Sequence, residues 1–142
     1  MYSYKYLDEV AFADAAFEAW ADSWDGLFAA ATEALSRVMV ELEDLEPKRS
    51  QALEMTGASV ADLLYDWLAE LVYLKDTEGL LVKSADVHVS RSTVWMANGI
   101  LHGDTLNPDQ QRLGQDVKAV TYHLFDVRQS GRDYRARVVL DI

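Results

Sequence analysis

The chain has 142 residues and a formal net charge of −11, from 13 Lys plus Arg against 24 Asp plus Glu. Half of it is apolar and 26% is charged, a globular composition with material for a core of its own. The charge disfavours direct binding to nucleic acid or to an anionic membrane surface, and the absence of cysteine excludes disulfides, thiolate metal sites and Cys nucleophiles.

From Tyr4 to Trp20 the alternation of Tyr4 and Tyr6 with Ser3 and Lys5, and of Phe17 and Ala19 with Glu18 and Trp20, predicts two strands joined by a turn near Asp8-Glu9. Ser23 can cap a helix whose apolar residues Leu27, Phe28, Ala31, Leu35, Val38 and Met39 follow helical spacing, which predicts helix 1 at about 23–40. The acidic stretch Glu41 to Glu46 ends at Pro47, and residues 48–56 alternate weakly as a strand. Ser59 with Asp62 resembles a capping box. Leu63, Leu64, Trp67, Leu68, Leu71 and Val72 then make one broad stripe, so helix 2 is expected at about 59–75, with Asp62, Asp66 and Glu70 on a solvated face.

After Gly79 the pattern becomes β: Leu80 to Val82, Val87 with Val89, and Val94 to Ile100 read as successive strands. Residues 103–116 form a long polar loop, Val117 to Val127 a strong strand, Ser130-Gly131-Arg132 a hairpin turn, and Tyr134 to Ile142 a closing strand. The expectation is an α+β class, two helices packed on a mostly antiparallel or mixed β-sheet. Charge is uneven: residues 1–80 hold five basic and 17 acidic side chains, residues 81–142 eight and seven. With only Pro47 and Pro108, and no Gly/Ser linker, the whole of 1–142 is read as a single domain. The N-terminus is no secretory signal and no apolar run reaches a membrane span, so a cytoplasmic protein is expected.

His88, His102 and His123 are not spaced as a metal pair, and no Gly-rich phosphate loop occurs. A Ser/His/Asp triad cannot be assembled from residue types this common. Oxygen-ligand chemistry remains. Asp14 stands in Val10-Ala11-Phe12-Ala13-Asp14-Ala15-Ala16-Phe17, and Asp141 in Val138-Val139-Leu140-Asp141-Ile142. A carboxylate on a mostly apolar strand is costly to bury unpaired; a metal ion, a lysine or backbone N–H groups could each pair it. Asp141 also neighbours the C-terminal carboxylate of Ile142, a repulsion that a cation would relieve. Lys118, between Val117 and Ala119-Val120, is either an outward-facing strand lysine or a partner for Asp14 or Asp141.

Val117-Lys118-Ala119-Val120-Thr121-Tyr122-His123, followed at the end by Val138-Val139-Leu140-Asp141-Ile142, strongly resembles the archease family. Leu63-Leu64-Tyr65-Asp66-Trp67-Leu68-Ala69-Glu70-Leu71 with Asp76-Thr77-Glu78-Gly79, and Ala13-Asp14-Ala15-Ala16-Phe17-Glu18-Ala19-Trp20, agree with its second helix and first motif. The first motif departs from the usual His-Thr-Ala-Asp, reading Ala11-Phe12-Ala13-Asp14. The resemblance implies a single-domain archease-like sandwich and a non-enzymatic protein cofactor of the GTP- and manganese-dependent RNA-splicing ligase of the RtcB type, promoting ligase guanylylation and multiple turnover in tRNA splicing or RNA repair. It implies a divalent-metal site, calcium in relatives, with manganese or magnesium as alternatives. By position its ligands are Asp14, Asp141 and Ile142, and Lys118 matches a functionally important lysine. Self-association into a homo-oligomer is left open. The rival readings are a general chaperone or binding module for nucleic-acid-processing proteins, with an apolar patch around Trp20, Trp24 or Trp95, and a metal-dependent hydrolase.

Overall fold

The structure, a computed structural model, describes residues 2–7 and 14–142. The turn expected near Asp8-Glu9, and the Ala11-Phe12-Ala13 departure, lie outside these residues. Among the described residues seven strands form two antiparallel sheets. One has four strands in the order β1-β2-β7-β6, the other three in the order β3-β5-β4. The strands are β1 (Tyr2–Leu7), β2 (Asp14–Ala21), β3 (Arg49–Gly57), β4 (Leu80–Arg91), β5 (Trp95–Thr105), β6 (Ala119–Ser130) and β7 (Asp133–Asp141). The helices are α1 (Trp24–Met39) and α2 (Val60–Glu78), with a short 3-10 turn at Leu42–Asp44.

Local chemistry fixes both helix starts. Ser23 accepts a hydrogen bond from the Gly26 N–H at 3.0 Å, and Ser59 one from the Asp62 N–H at 3.1 Å; each satisfies a donor that a helix start otherwise leaves open. The second helix outlasts its expected end by a turn. Its stripe continues past Val72 through Leu74 and Lys75, and the stop is Gly79, which sits at φ 61° and returns its N–H to the Lys75 carbonyl at 3.1 Å.

α1 is buried on most of its circumference because it packs against both sheets, touching β4 on one side and β1, β2 and β7 on the other. The alternating tyrosines of β1 reach α1: the Tyr6 hydroxyl donates to the Ala34 carbonyl at 2.9 Å and the Tyr2 hydroxyl to Glu33 at 2.7 Å. Phe17, Phe28, Leu35, Leu63, Leu68 and Trp67 lie fully inside. Trp67 meets Phe28 edge-on at 6.2 Å and donates its indole N–H to Thr32 Oγ1 at 3.0 Å, so the largest buried side chain keeps its polar atom satisfied. On β5, Gly99 lets that ring approach: a Cβ there would sit 3.2 Å from Trp67 Cη2.

The expected strands Leu80–Val82 and Val87–Val89 are one twelve-residue strand, interrupted only by an irregularity between Val82 and Ser84. The long polar loop is narrower than expected, because β5 runs on to Thr105. What remains is tied to the end of α1: Gly114 and Gln115 donate to the carbonyls of Met39 and Val38, both at 2.8 Å, and Arg112 pairs with Asp44 at 3.0 Å. The expected strand from Val117 begins at Ala119 and continues to Ser130, and the hairpin turn falls at Gly131, at φ 61°. No helix among the described residues is long and apolar enough to cross a membrane.

Candidate functional site

Strand register puts the two singled-out carboxylates together. Asp14 opens β2 and Asp141 closes β7, and the two are direct cross-strand partners. The Asp141 carbonyl accepts from the Lys118 N–H at 2.8 Å, so its backbone polar groups face β6. By strand alternation its pairing with Asp14 is then the non-hydrogen-bonded kind, in which Cα atoms come within about 4.5 Å and side chains are closest. Both carboxylates therefore stand on one face of the sheet, half-buried, at the same end. Neither makes a hydrogen bond or ion pair with another described residue. Like charges directly opposite in a sheet destabilise it. Ile142 follows Asp141 immediately and packs its side chain against the core, which fixes the end of β7.

Lys118 is brought to the pair through its backbone. Its side chain does not pair with Asp14 or Asp141; it lines a groove of about 270 Å³ between α2 and β6, with Tyr65, Ala69, Val72, Tyr73, Asp76, Ala119 and Val120. The lysine is exposed and precedes β6. The expected pairing of its side chain with Asp14 or Asp141 is therefore not what the structure shows; the contact is between the Lys118 N–H and the Asp141 carbonyl.

The segment carrying Lys118 is held by a residue that the sequence reading missed. Lys75, almost fully buried, donates its ammonium to Asp116 at 2.6 Å and to the Val117 carbonyl at 2.8 Å, and pairs with Asp76 at 2.9 Å. Burial by itself lowers the Lys75 pKa, but the hydrogen bonds with Asp116 and Asp76 outweigh it and the net shift is upward. The same bond holds the Asp116 carboxyl below its ordinary value. A signal was present: Lys75 continues the apolar spacing of Leu64, Leu68 and Leu71, and a lysine in an apolar stripe needs a partner.

β6 then leaves its ladder. Thr121 pairs with Val139 and Asp126 with Arg137, so four residues on β6, 122–125, stand opposite Val138 alone. Leu124 takes a left-handed φ of 54° and its carbonyl accepts from Arg137 Nε at 3.0 Å. Tyr122 stacks on Tyr65 with ring centroids 4.0 Å apart and planes 3° from parallel, and Phe125 meets Tyr65 edge-on at 5.5 Å. The Tyr65 hydroxyl donates to the Val120 carbonyl at 2.6 Å.

Two other expectations resolve. Trp24 packs edge-on against Tyr134 at 4.7 Å and Trp95 at 5.9 Å, and Trp20 lies under Arg135 at 5.8 Å. All three tryptophans are partly buried. His102 does stand between Ser50, at 3.4 Å, and Asp86, at 2.8 Å. These are surface side chains on the open face of the three-stranded sheet, with that of Asp86 85% exposed, and not a nucleophile held in a cleft.

Two antiparallel sheets enclose a helix, and the Asp14–Asp141 pair stands at one end of the four-stranded sheet. The model of the Archease protein family (MTH1598/TM1083) matches residues 4–142, and the chain belongs to that family. It is 33% identical over 139 residues to a protein archease of Archaeoglobus fulgidus, covering 98% of both chains. With a protein archease of Methanopyrus kandleri it shares 32% over 131 residues, 92% of this chain and 94% of that one. The solution structure of Methanobacterium thermoautotrophicum protein 1598 superposes with a TM-score of 0.80 at 27% identity, covering 98% of each chain. A Thermotoga maritima crystal structure of an archease, described as a possible chaperone, shares the fold at a TM-score of 0.58 and 18% identity, with 93% of each chain covered.

Proposed function

We propose that this chain is an activating protein cofactor of a GTP- and manganese-dependent RNA-splicing ligase of the RtcB type, acting through a divalent cation held at the Asp14–Asp141 end of the four-stranded sheet. The reading goes beyond family membership, and one observation carries it: two carboxylates are direct cross-strand partners with no cation among the described residues to pair them. A folded chain does not keep like charges opposed on one sheet face without cost unless something offsets them.

The donors fit a hard cation. Asp14 and Asp141 offer carboxylate oxygens, and Ile142, the third position the family resemblance implies, follows at the same strand end; carboxylates suit calcium, magnesium or manganese rather than softer metals. Among the described residues no three His, Cys, Asp or Glu side chains come together; a hard cation takes about six to eight oxygens, so one held by this pair would keep coordination positions for a partner. A cation there would neutralise the pair and offer a bridge to a second protein. The chain's own residues do the rest. β2 and β7 hold the two acids in register, Ile142 anchors the strand end, and Lys75 fixes the approach to Lys118. Lys118, exposed on the neighbouring groove, is available to an anionic group of the partner or its nucleotide.

Calorimetric titration with calcium or manganese tests the site directly. Wild type is expected to bind one ion, and Asp14→Asn with Asp141→Asn to bind none while melting as a folded protein. Undiminished affinity in the double variant contradicts the site.

A further inference from the structure

The groove between α2 and β6 is built for an occupant. Two of the most exposed large apolar side chains among the described residues meet at it: Tyr73, 59% exposed, lines it, and Tyr122, 71% exposed, stacks on the lining Tyr65. Scattered apolar residues on a surface are ordinary, but linked ones mark a contact surface. These are linked, since Tyr65 lines the groove beside Tyr73 and carries Tyr122 stacked on its ring.

The display is also structurally costly. The four-residue excursion of β6 gives up ladder pairing and places Leu124, a non-glycine residue, in the left-handed region. Three contacts nevertheless hold it in one conformation: the Tyr65–Tyr122 stack, the Tyr65–Phe125 edge contact and the Arg137 bond to the Leu124 carbonyl. A rigid apolar projection loses little conformational freedom on binding.

Charge identifies the occupant. Asp62, Asp66, Tyr73 and Asp76 share the outward side of α2 with Tyr65 and Ala69, by their helical spacing and their exposure. Glu70 extends the acidic edge, and Lys118 is the one cation among the described residues that line the groove. Nucleic acid is repelled by such a rim, and a second copy would bring acid against acid. We propose that the α2–β6 groove docks a lysine- or arginine-rich segment of the partner protein, which seats an apolar side chain beside Tyr65 and Tyr73 and pairs its cations with Asp62, Asp66 and Asp76. This rests on the function proposed above, with the ligase as the partner. Lys118 joins the two surfaces: its side chain lines the groove and its backbone N–H bonds Asp141, so a segment seated here lies beside the carboxylate pair.

The test titrates the full chain and two double variants against the cognate ligase by calorimetry at low and high salt. Melting curves and calcium affinity serve as controls. Tyr73→Ser with Tyr122→Ser is expected to weaken ligase binding by roughly tenfold or more. Asp62→Lys with Asp66→Lys is expected to weaken it and to flatten its salt dependence. Both variants should keep wild-type calcium affinity, which separates docking from the metal site. Ligase binding unchanged in both variants overturns the docking surface and leaves the proposed function standing. No ligase binding by wild type overturns both. Binding of single-stranded RNA alone, or self-association by sedimentation, that the same variants abolish would reassign the occupant and overturn this proposal.

Discussion

At the residue scale the opposed acids set the first expectation. Asp14 and Asp141 repel across a close pair, so removing one charge should stabilise the metal-free protein even as it removes a ligand. Asp141→Asn is expected to gain up to about 1 kcal/mol in urea melts with chelator present, and to lose the stabilisation that added calcium gives wild type. A variant less stable than wild type without metal would show that the pair is not in repulsion. Thr32 makes the opposite case. It accepts the buried Trp67 N–H, and Thr32→Val leaves that donor unpaired in the core. A loss of about 1–3 kcal/mol in urea melts is expected. Lys75 and Asp116 add a pH dependence with a definite sign. The Asp116 carboxyl is held below its unfolded value, so the stability it contributes is present above the ordinary carboxylate range and is lost as pH falls through the depressed value. Lys75→Met should remove that part of the acid-side loss, as followed by melting temperature between neutral and acidic pH. These residues were unequally legible. Asp14 and Asp141 announced themselves as acids inside apolar runs; Lys75 showed only as a lysine within a helix stripe, and its partner Asp116, 41 positions away, carried no signal of the pairing.

At the scale of elements, the helices were the readable part. Ser23, Ser59 and Gly79 are punctuation whose physics is local, and the structure puts caps and a stop at these positions. Gly79 has nothing within 4 Å of where a Cβ would stand, so Gly79→Ala isolates the conformational cost of φ 61° from any packing effect. A destabilisation of about 1 kcal/mol is expected in denaturant melts. β6 was the unreadable element. Thr121 to Val127 has the β-branched and aromatic content of an unbroken strand, and nothing within it marks a break. The excursion at 122–125 arises because Tyr65, on α2, offers a ring face to Tyr122 and an edge to Phe125; that is a tertiary contact overriding local propensity. Strand pairing is likewise non-local, which is why the β-rich half was legible as strands but not as two separate sheets.

Across the whole molecule, the net charge of −11 acquires a shape. The excess acid of the first 80 residues includes the outward side of α2, where it rims the groove, whereas the carboxylate pair draws one acid from each part of the chain. Bulk acidity and site acidity are therefore distinct: one suits a basic partner, the other a cation. Sheet register alone joins the first motif to the chain end, bringing residues 14 and 141 side by side, and β6 places Lys118 next to them. In the proposed function this junction activates an RNA ligase. The most direct measurement is guanylylation and multiple-turnover joining by the cognate ligase, with GTP and manganese, in the presence of wild-type chain or of the Asp14→Asn, Asp141→Asn double variant. Strong stimulation by wild type and ligase-alone rates with a folded double variant are expected. Equal stimulation by the two proteins would contradict the proposed function.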